Sequence, residues 1–106
     1  MYNDNYTSVE SIEFDWDKGN EDKNYLKHNV SQLEAEEAFF KFNIINDDAA
    51  HSSKEKRLRL LGSTDGEKVL VVIFTERAGK VRVVSARTAS RKERKTYEEV
   101  KRNTKL

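Results

Sequence analysis

Three strand-like runs in the second half of the chain constrain its fold more than any other feature. The middle run is almost continuously apolar or β-branched, which is typical of a strand buried on both faces. Asp65-Gly66 is a strong hairpin signal between the first two runs, and Ala78-Gly79 lies at the next turn. The sequence therefore predicts an antiparallel meander whose strands are 57–61, 68–75 and 80–86.

Capping patterns predict a helix on each side of this meander. Ser31 and Glu34 have the spacing of a capping box, in which each side chain accepts a hydrogen bond from the other residue's backbone N–H. Ser90 and Glu93 repeat the pattern before a highly charged helix that is expected to run to about Asn103. The earlier helix carries an apolar stripe that is expected to pack on the sheet, and its members are Ala35, Ala38, Phe39 and Phe42.

The start of the chain adds a strand and a further helix. Residues 12–16 alternate apolar and acidic side chains, as a half-buried edge strand does. Asp17 is suited to cap a helix that runs through to His28. Asn29 is suited to end that helix, because asparagine tolerates the left-handed conformation.

These elements predict one α+β domain that spans residues 1–106, the size of a single domain. Its expected order is β-α-α-β-β-β-α: an antiparallel sheet of about four strands, two N-terminal helices packed on it and a C-terminal helix. Residues 1–10 lack periodicity and are expected to form a flexible arm. Residues 46–54 are expected to form a polar loop that carries His51.

Composition excludes several classes of protein. The chain has no cysteine, which removes disulfides, thiolate metal sites and cysteine nucleophiles. The longest apolar run, 69–74, is far below the roughly 20 residues that a membrane helix needs. The acidic N-terminus also lacks the basic start of a signal peptide. We therefore expect an untargeted cytoplasmic protein without a membrane partner.

The charges are strongly divided between the two halves of the chain. Residues 1–50 hold 4 Lys and Arg against 12 Asp and Glu, whereas residues 51–106 hold 16 against 7. This division predicts two differently charged faces, one of which suits a polyphosphate. The alternative is that the charges only solvate the helices.

Arginines of the meander and the last helix are candidates for a phosphate site. Arg57 and Arg59 are two residues apart on one strand, so both point away from the face that holds Leu58 and Leu60. The guanidinium group suits phosphate because it donates two parallel hydrogen bonds and keeps its charge. The other members of this set are Arg82, Arg87 and Arg91. The alternative is a solvated network in which these arginines pair with Glu55, Glu76, Glu93 and Glu98.

Proton transfer has fewer candidates. Histidine is the side-chain type suited to proton transfer near neutral pH, and His28 follows Lys27, which can steady a developing negative charge. A histidine at a helix end can also act only as a cap. Tyr97 is a candidate either for stacking on a base or for packing under the last helix. Two histidines 23 residues apart match no zinc spacing, so we expect neither a metal nor a cofactor. The available side chains suffice for RNA cleavage, in which the substrate's own 2′-hydroxyl attacks the adjacent phosphate.

Two ordered sets of residues cover the chain from about Glu13 to Glu99 and resemble a known family. The first set is Phe14-Asp15-Trp16-Asp17, Asn20, Asn24, Lys27-His28 and Val30-Ser31. The second set is Arg57, Gly62, Phe74-Thr75-Glu76-Arg77, Arg82-Val83-Val84-Ser85-Ala86-Arg87, Arg91-Lys92-Glu93-Arg94-Lys95 and Tyr97. In order and spacing, these residues resemble BrnT proteins, with Asn29 where we expect glycine in many relatives.

The resemblance implies a ribonuclease toxin of a type II toxin–antitoxin system, with a RelE-like fold, that cleaves RNA without a metal and so inhibits translation. Carried over by position, the implied catalytic residues are Lys27, His28, Arg57, Arg87 and Glu93. The implied RNA-binding residues are Lys23, Arg59, Arg82, Arg91 and Tyr97. Lys27 and the arginines would stabilise the phosphorane, while His28 or Glu93 would move a proton.

The resemblance also implies a BrnA-type antitoxin with a ribbon-helix-helix DNA-binding domain, in a 2:2 complex that reaches operator DNA only through the antitoxin. One alternative is a non-catalytic RNA-binding module, or a degenerate toxin that acts only through its protein partner. Another is that the acidic first half of the chain is the partner surface, although an antitoxin that covers the positive groove fits a basic toxin better.

Overall fold

The structure, a computed structural model, describes residues 12–48 and 55–104. The described elements are α1 (Lys23–His28), α2 (Gln32–Glu37), β1 (Asn43–Asp47), β2 (Leu58–Ser63), β3 (Val69–Arg77), β4 (Lys80–Thr88) and α3 (Arg91–Thr104). The strands form one antiparallel sheet in the order β1-β2-β3-β4. The α+β class predicted from the sequence is therefore confirmed. The predicted arm at 1–10 and His51 lie outside the described residues.

The predicted meander is present as β2, β3 and β4. The turn between β3 and β4 consists of Ala78 and Gly79, both with positive φ (52° and 79°), as a two-residue hairpin turn requires. The turn between β2 and β3 is longer, because the Thr64 N–H donates to the Lys68 carbonyl at 2.9 Å. Its left-handed residue is Glu67 (φ 67°) rather than a glycine. The Asp65-Gly66 signal thus located this hairpin without identifying its left-handed position.

The order of elements differs from the prediction because residues 43–47, in part expected to be loop, form β1. Helix α2 ends at Glu37, well before Phe42. The Asn43 side-chain amide lies 3.0–3.4 Å from the carbonyl oxygens of Ala38, Phe39 and Lys41, so this one side chain holds the turn from helix to strand. Gly62, opposite Asn43, leaves room for that turn, since a Cβ there would lie 2.6 Å from the Ala38 carbonyl oxygen.

The predicted N-terminal strand at 12–16 is also corrected. This segment forms only an isolated parallel bridge, in which Phe14 lies opposite Val81. The Asp15 N–H donates to the Val81 carbonyl at 2.8 Å, and the Val81 N–H donates to the Glu13 carbonyl at 2.9 Å. The segment therefore lies along the outer edge of β4, and the observed order is α-α-β-β-β-β-α.

Both predicted capping boxes are confirmed, and they fix where α2 and α3 begin. At the first, the Ser31 N–H donates to Glu34 at 3.0 Å and the Glu34 N–H donates to the Ser31 hydroxyl at 3.1 Å. At the second, the corresponding distances between Ser90 and Glu93 are 2.8 and 3.2 Å. Asn29 ends α1 in the left-handed conformation, as predicted.

Helix α1 begins later than predicted. Asp22 precedes its first residue and makes no side-chain capping bond. Asp17, the predicted cap, instead accepts a hydrogen bond from the Gly19 N–H at 2.8 Å within a turn. Two buried asparagines attach this region to β4. Asn20 donates to the Val83 carbonyl at 3.0 Å, and Asn24 accepts from the Ala86 N–H at 2.9 Å.

The sheet has two faces with separate cores. The first face, which carries Leu60 and Val72, packs against α2 and the N-terminal segment. The second face, which carries Leu61 and Val71, packs against α3 through the buried ring of Tyr97. Among the described residues, no helix combines the length and apolar character needed to cross a bilayer.

Candidate functional site

Alternation along β2 and at Arg57, the residue just before it, places Arg57 and Arg59 on the second face of the sheet. Leu58 and Leu60 pack in the core of the first face, whereas Leu61 packs with Tyr97 on the second. Because successive side chains on a strand point to opposite faces, the two arginines share the side of Leu61. This agrees with the orientation predicted from their spacing.

The register of the sheet brings Arg87 to the same region. Ile73 on β3 is the partner of Arg59 on β2 and of Ser85 on β4, so these three residues form one row across the sheet. Arg87 is two residues beyond Ser85, on the same face. Helix α3 starts three residues after β4 ends and adds Glu93.

Arg59, Arg87 and Glu93 form an ion-paired group that we call the arginine–glutamate cluster. Arg87 binds Glu93 through two parallel bonds, from Nη1 to Oε1 at 2.8 Å and from Nη2 to Oε2 at 2.9 Å. Arg59 Nη2 lies 2.6 Å from Glu93 Oε2. The Glu93 carboxylate therefore holds arginines from two strands while it caps α3.

The cluster determines the charge state of Glu93. Hydrogen bonds from Arg87, together with the Ser90 N–H, lower the pKa of Glu93 from its ordinary 4.5 to about 2, against the opposing effect of burial. The same contact with Glu93 raises the pKa of Arg87. Glu93 is thus charged near neutral pH and a weak proton acceptor, so its geometry suits holding arginines better than moving protons.

A cavity of about 260 Å³ lies beside the cluster, and we call it the second-face cavity. It is lined by Lys23, Asp48, Arg57, Ile73, Val84 and Ser85. The pairing of β3 with β4 shifts at this point, because Ile73 pairs with Ser85 while Phe74 pairs with Val83. Val84 is therefore an extra residue in a β-bulge, a feature that re-aims side chains and is common next to active sites.

Five of the predicted site residues meet in this region of the second face. Arg57 and Lys23 line the cavity, while Arg59, Arg87 and Glu93 form the adjoining cluster. Arg91 is exposed on the first turn of α3, two residues before Glu93.

Lys27 and His28 lie on the last turn of α1. Lys27 is exposed and is one helical turn beyond Lys23, hence on the same side of the helix. His28 is half-buried and is one turn beyond Asn24, which binds β4. Within residues 12–48 and 55–104, their side chains form no hydrogen bond or ion pair.

Arg82 and Tyr97, predicted to bind RNA, are engaged elsewhere. Arg82 binds Asp17 through two bonds of 3.0 Å and lies 3.5 Å from Asp15, and this pairing lowers the pKa of Asp17. Its side chain is only 15% exposed. Tyr97 is 1% exposed, and its hydroxyl lies 3.2 Å from both the Phe42 carbonyl and the Ser63 hydroxyl. Its ring therefore packs under α3 and is not available for stacking on a base.

Asp48 is the main cavity residue that the sequence did not single out. The β1–β2 ladder continues for one residue past β1, where the Asp48 N–H donates to the Arg57 carbonyl at 2.9 Å. Asp48 and Arg57 are thus neighbours on adjacent, hydrogen-bonded segments of the sheet edge between β1 and β2. Residues 43–47 contain only the adjacent apolar residues Ile44 and Ile45 between polar ends, so no alternation indicated a strand there. Among the described residues, no group of three or more His, Cys, Asp or Glu is arranged to hold a metal ion.

Comparisons with known proteins give the family. Residues 16–93 match the sequence model of a family described as the ribonuclease toxin BrnT of type II toxin–antitoxin systems. The fold is similar to the 1.1 Å crystal structure of the Brucella abortus ribonuclease toxin BrnT, with a TM-score of 0.57 and 24% identity. That similarity covers 76% of this chain and 100% of the Brucella chain. No match was found among curated proteins. Because the family match covers most of its length, the chain belongs to the BrnT family of ribonuclease toxins of type II toxin–antitoxin systems.

Proposed function

We propose that this protein is an endoribonuclease toxin that binds RNA on the second face of its sheet and stops translation by cutting it. One observation carries the proposal: Arg57 lines a cavity beside Arg59 and Arg87, which are both held by Glu93. Helix α3 covers this face of the sheet only in part. Guanidinium groups that converge on an accessible surface are suited to bind the phosphates of RNA.

The arginines would stabilise the negative charge that develops on the reacting phosphate. Each guanidinium has five N–H donors, so Arg59 and Arg87 can bind phosphate oxygens while Glu93 holds them in place. The attacking group is the 2′-hydroxyl of the substrate itself, which needs neither a metal nor a cofactor. We assign Glu93 the role of a positioning residue because its pKa of about 2 makes it a poor base.

Proton transfer is assigned to His28, with Lys27 beside it. Histidine is the side chain whose ordinary pKa lies closest to neutrality. Lys23 lines the cavity, and His28 lies at the end of the same six-residue helix. A substrate that spans the cavity and the end of α1 would bring the reacting phosphate between the arginines and His28.

Expression in cells without an antitoxin tests this proposal. The wild-type protein should arrest growth and cut cellular RNA, as detected by profiling RNA ends, and Arg57→Ala or His28→Ala should prevent both. Arg77→Ala is the matched control, because Arg77 is exposed and pairs with Glu55 at 3.0 Å. A wild-type protein that folds and binds RNA without cutting it would contradict the proposal and favour the non-catalytic module.

We also propose that a cognate antitoxin silences the protein by covering this basic surface. Family membership implies an antitoxin partner. We propose that the partner carries a ribbon-helix-helix domain, forms a 2:2 complex and is the only part that contacts operator DNA. The product of the adjacent gene should co-purify with the toxin, and failure to do so would count against this partner.

Charge reversal distinguishes the two candidate partner surfaces. Arg57→Glu should weaken the complex if the antitoxin covers the basic surface. Asp22→Lys places the reversed charge on the acidic first half of the chain, at an exposed residue without a side-chain capping bond. Loss of the complex in Asp22→Lys alone would assign the partner to the acidic half instead.

A further inference from the structure

We infer that the second-face cavity is a nucleobase subsite that selects guanine. The inference rests on the proposed function, since it assigns a base preference to an RNA-cleaving site. It depends on three properties of the cavity: its walls, the polar groups that line it and its position beside the arginine–glutamate cluster.

The walls suit a flat heterocycle. At about 260 Å³ the cavity is slightly smaller than the roughly 300–1,000 Å³ of sites that hold drug-sized ligands, and it is large enough for a single base. Ile73 and Val84 provide branched apolar surface, against which the face of a base can pack. Val84 is available for this contact because it is the extra residue of the bulge.

The polar lining distinguishes among the four bases. Guanine presents two adjacent donors, N1–H and the N2 amino group, and two acceptors, O6 and N7. The two oxygens of the Asp48 carboxylate can accept both donors side by side, while the Arg57 guanidinium can donate to the acceptors. The other three RNA bases lack this pair of adjacent donors.

Asp48 and Arg57 are placed to act together. They lie on adjacent segments of the protein, which are joined by the 2.9 Å hydrogen bond between the Asp48 N–H and the Arg57 carbonyl. Each also interacts with other groups of the protein. The edge of a guanine base would therefore share or replace existing interactions of these two side chains.

The position of the cavity is consistent with one bound nucleotide. Ile73 pairs directly with Arg59, and Arg87 is two residues beyond the cavity residue Ser85. Neighbours across strands are about 5 Å apart, and alternate residues along a strand are about 7 Å apart. A base in the cavity would thus place its own phosphate within reach of Arg59 and Arg87.

The test measures binding separately from cleavage. Tetranucleotides of 2′-deoxy chemistry, which lack the attacking hydroxyl, would carry guanine, hypoxanthine, adenine or cytosine at one position among uracils. Competition against a fluorescent oligonucleotide should show guanine binding about 5- to 150-fold more tightly than adenine or cytosine. Hypoxanthine should lose much of this advantage, because it lacks the N2 amino group.

Asp48→Asn should abolish the preference, because its amide presents a donor where guanine needs an acceptor. Asp47→Asn is the matched control. It removes the same charge from the adjacent residue, which lies opposite Leu58 and pairs with Lys56 at 3.5 Å. Circular dichroism and thermal unfolding would verify that both variants are folded.

The outcomes separate this inference from the proposed function. Equal binding of all four oligonucleotides, or a guanine preference that survives Asp48→Asn, would overturn the guanine subsite even if the ribo-oligonucleotides are cut. Guanine-selective binding without cleavage of the ribo-oligonucleotides would support the subsite and contradict the ribonuclease proposal. No measurable binding of any oligonucleotide would overturn both.

Discussion

The Glu93 carboxylate connects two strands and a helix. It caps α3 through the Ser90 N–H and accepts bonds from Arg59 on β2 and Arg87 on β4. Its side chain is only 21% exposed, so these charge-assisted bonds are partly shielded from solvent. Glu93 therefore contributes both to stability and to the geometry of the two arginines.

Glu93→Gln is expected to lower the free energy of unfolding by about 1–3 kcal/mol at pH 7, because it replaces charge-assisted bonds with neutral ones. The pKa of Glu93 falls from 4.5 to about 2 in the folded protein, so its contribution is complete above about pH 4.5 and is lost as the pH falls towards 2. Urea denaturation from pH 7 to 2.5 should show a smaller decline for the variant than for the wild type.

The exposed Glu98→Gln is the control for this experiment, since it makes the same chemical change on the same helix. It should leave the stability at pH 7 within about 0.5 kcal/mol of the wild type. Identical pH dependence in Glu93→Gln and the wild type would show that the pairing contributes nothing to stability.

Asn20→Ala is expected to lower the free energy of unfolding by about 2–3 kcal/mol, because it leaves buried polar groups without partners. Asn20 is 3% exposed, accepts from the Asp17 N–H at 2.8 Å and donates to the carbonyls of Asp15 and Val83 at 3.0 Å. Urea denaturation measures the effect, with the exposed Asn46→Ala as control. Equal midpoints for both variants would contradict the account.

Sequence patterns predicted local contacts of single residues better than distant ones. The capping spacing locates Ser90 and Glu93, and the alternative of a solvated network pairs the arginines with glutamates that include Glu93. The partners of Arg82 were not predicted, because Asp15 and Asp17 are 67 and 65 positions away and no local period links them. The position of Asp48 in the cavity was not predicted for the same reason, because it depends on how β1 pairs with β2.

At the scale of elements, α3 is attached mainly by one aromatic ring. Tyr97 is the only buried residue of this 14-residue helix, and it packs with Leu61, Val69 and Val71. The highly charged sequence of the helix offers few apolar side chains for docking. The first turn of the helix nevertheless carries Glu93, so the attachment of the helix affects the site.

Tyr97→Ala should reduce stability by about 3–5 kcal/mol and release α3, because it removes the ring that fills the second core. Urea denaturation would measure the loss, and hydrogen exchange would show faster exchange for the amides of α3. Val100→Ala is the control, since Val100 is 37% exposed on the same helix and should cost far less. Unchanged exchange in α3 of Tyr97→Ala would contradict this view of its attachment.

The predicted elements were confirmed where a local turn or capping signal marked their ends. The meander and both capped helices satisfy that condition. Strand β1 has only five residues and starts at Asn43, which holds the preceding turn. Its two apolar residues are adjacent, so no alternation marks it as a strand. The segment at 12–16 shows the opposite case. Its residues alternate, but it joins the edge of β4 through a single bridge and forms no strand.

At the scale of the whole molecule, part of the acidic half neutralises part of the basic half. Ion pairs between the halves join Asp17 to Arg82, Glu34 to Lys68 and Asp47 to Lys56. The division of charge along the sequence therefore does not translate into one wholly acidic and one wholly basic face. The cavity and the cluster mark the basic region that we propose for RNA.

RNA binding should depend on salt with a slope set by the number of phosphate contacts. Each neutralised phosphate of a single strand contributes about −0.7 to the slope of log K against log salt concentration. Arg57→Ala should reduce the slope by about that amount, whereas Arg77→Ala should leave it unchanged. Fluorescence anisotropy at salt concentrations from about 50 to about 300 mM, which span physiological ionic strength, measures the slope. Equal slopes for Arg57→Ala and the wild type would remove Arg57 from the binding surface.

The central claim is that the arginines of the second face cleave RNA, and cleavage by the purified protein in the presence of EDTA tests it most directly. The wild type should cut RNA and leave 2′,3′-cyclic phosphate ends. Arg87→Ala and Arg59→Ala, each verified as folded, should cut on the order of 100-fold more slowly, because each loses donors to the reacting phosphate. Arg77→Ala should cut like the wild type. A folded wild-type protein that cuts no RNA, or cluster variants that cut at the wild-type rate, would contradict the account.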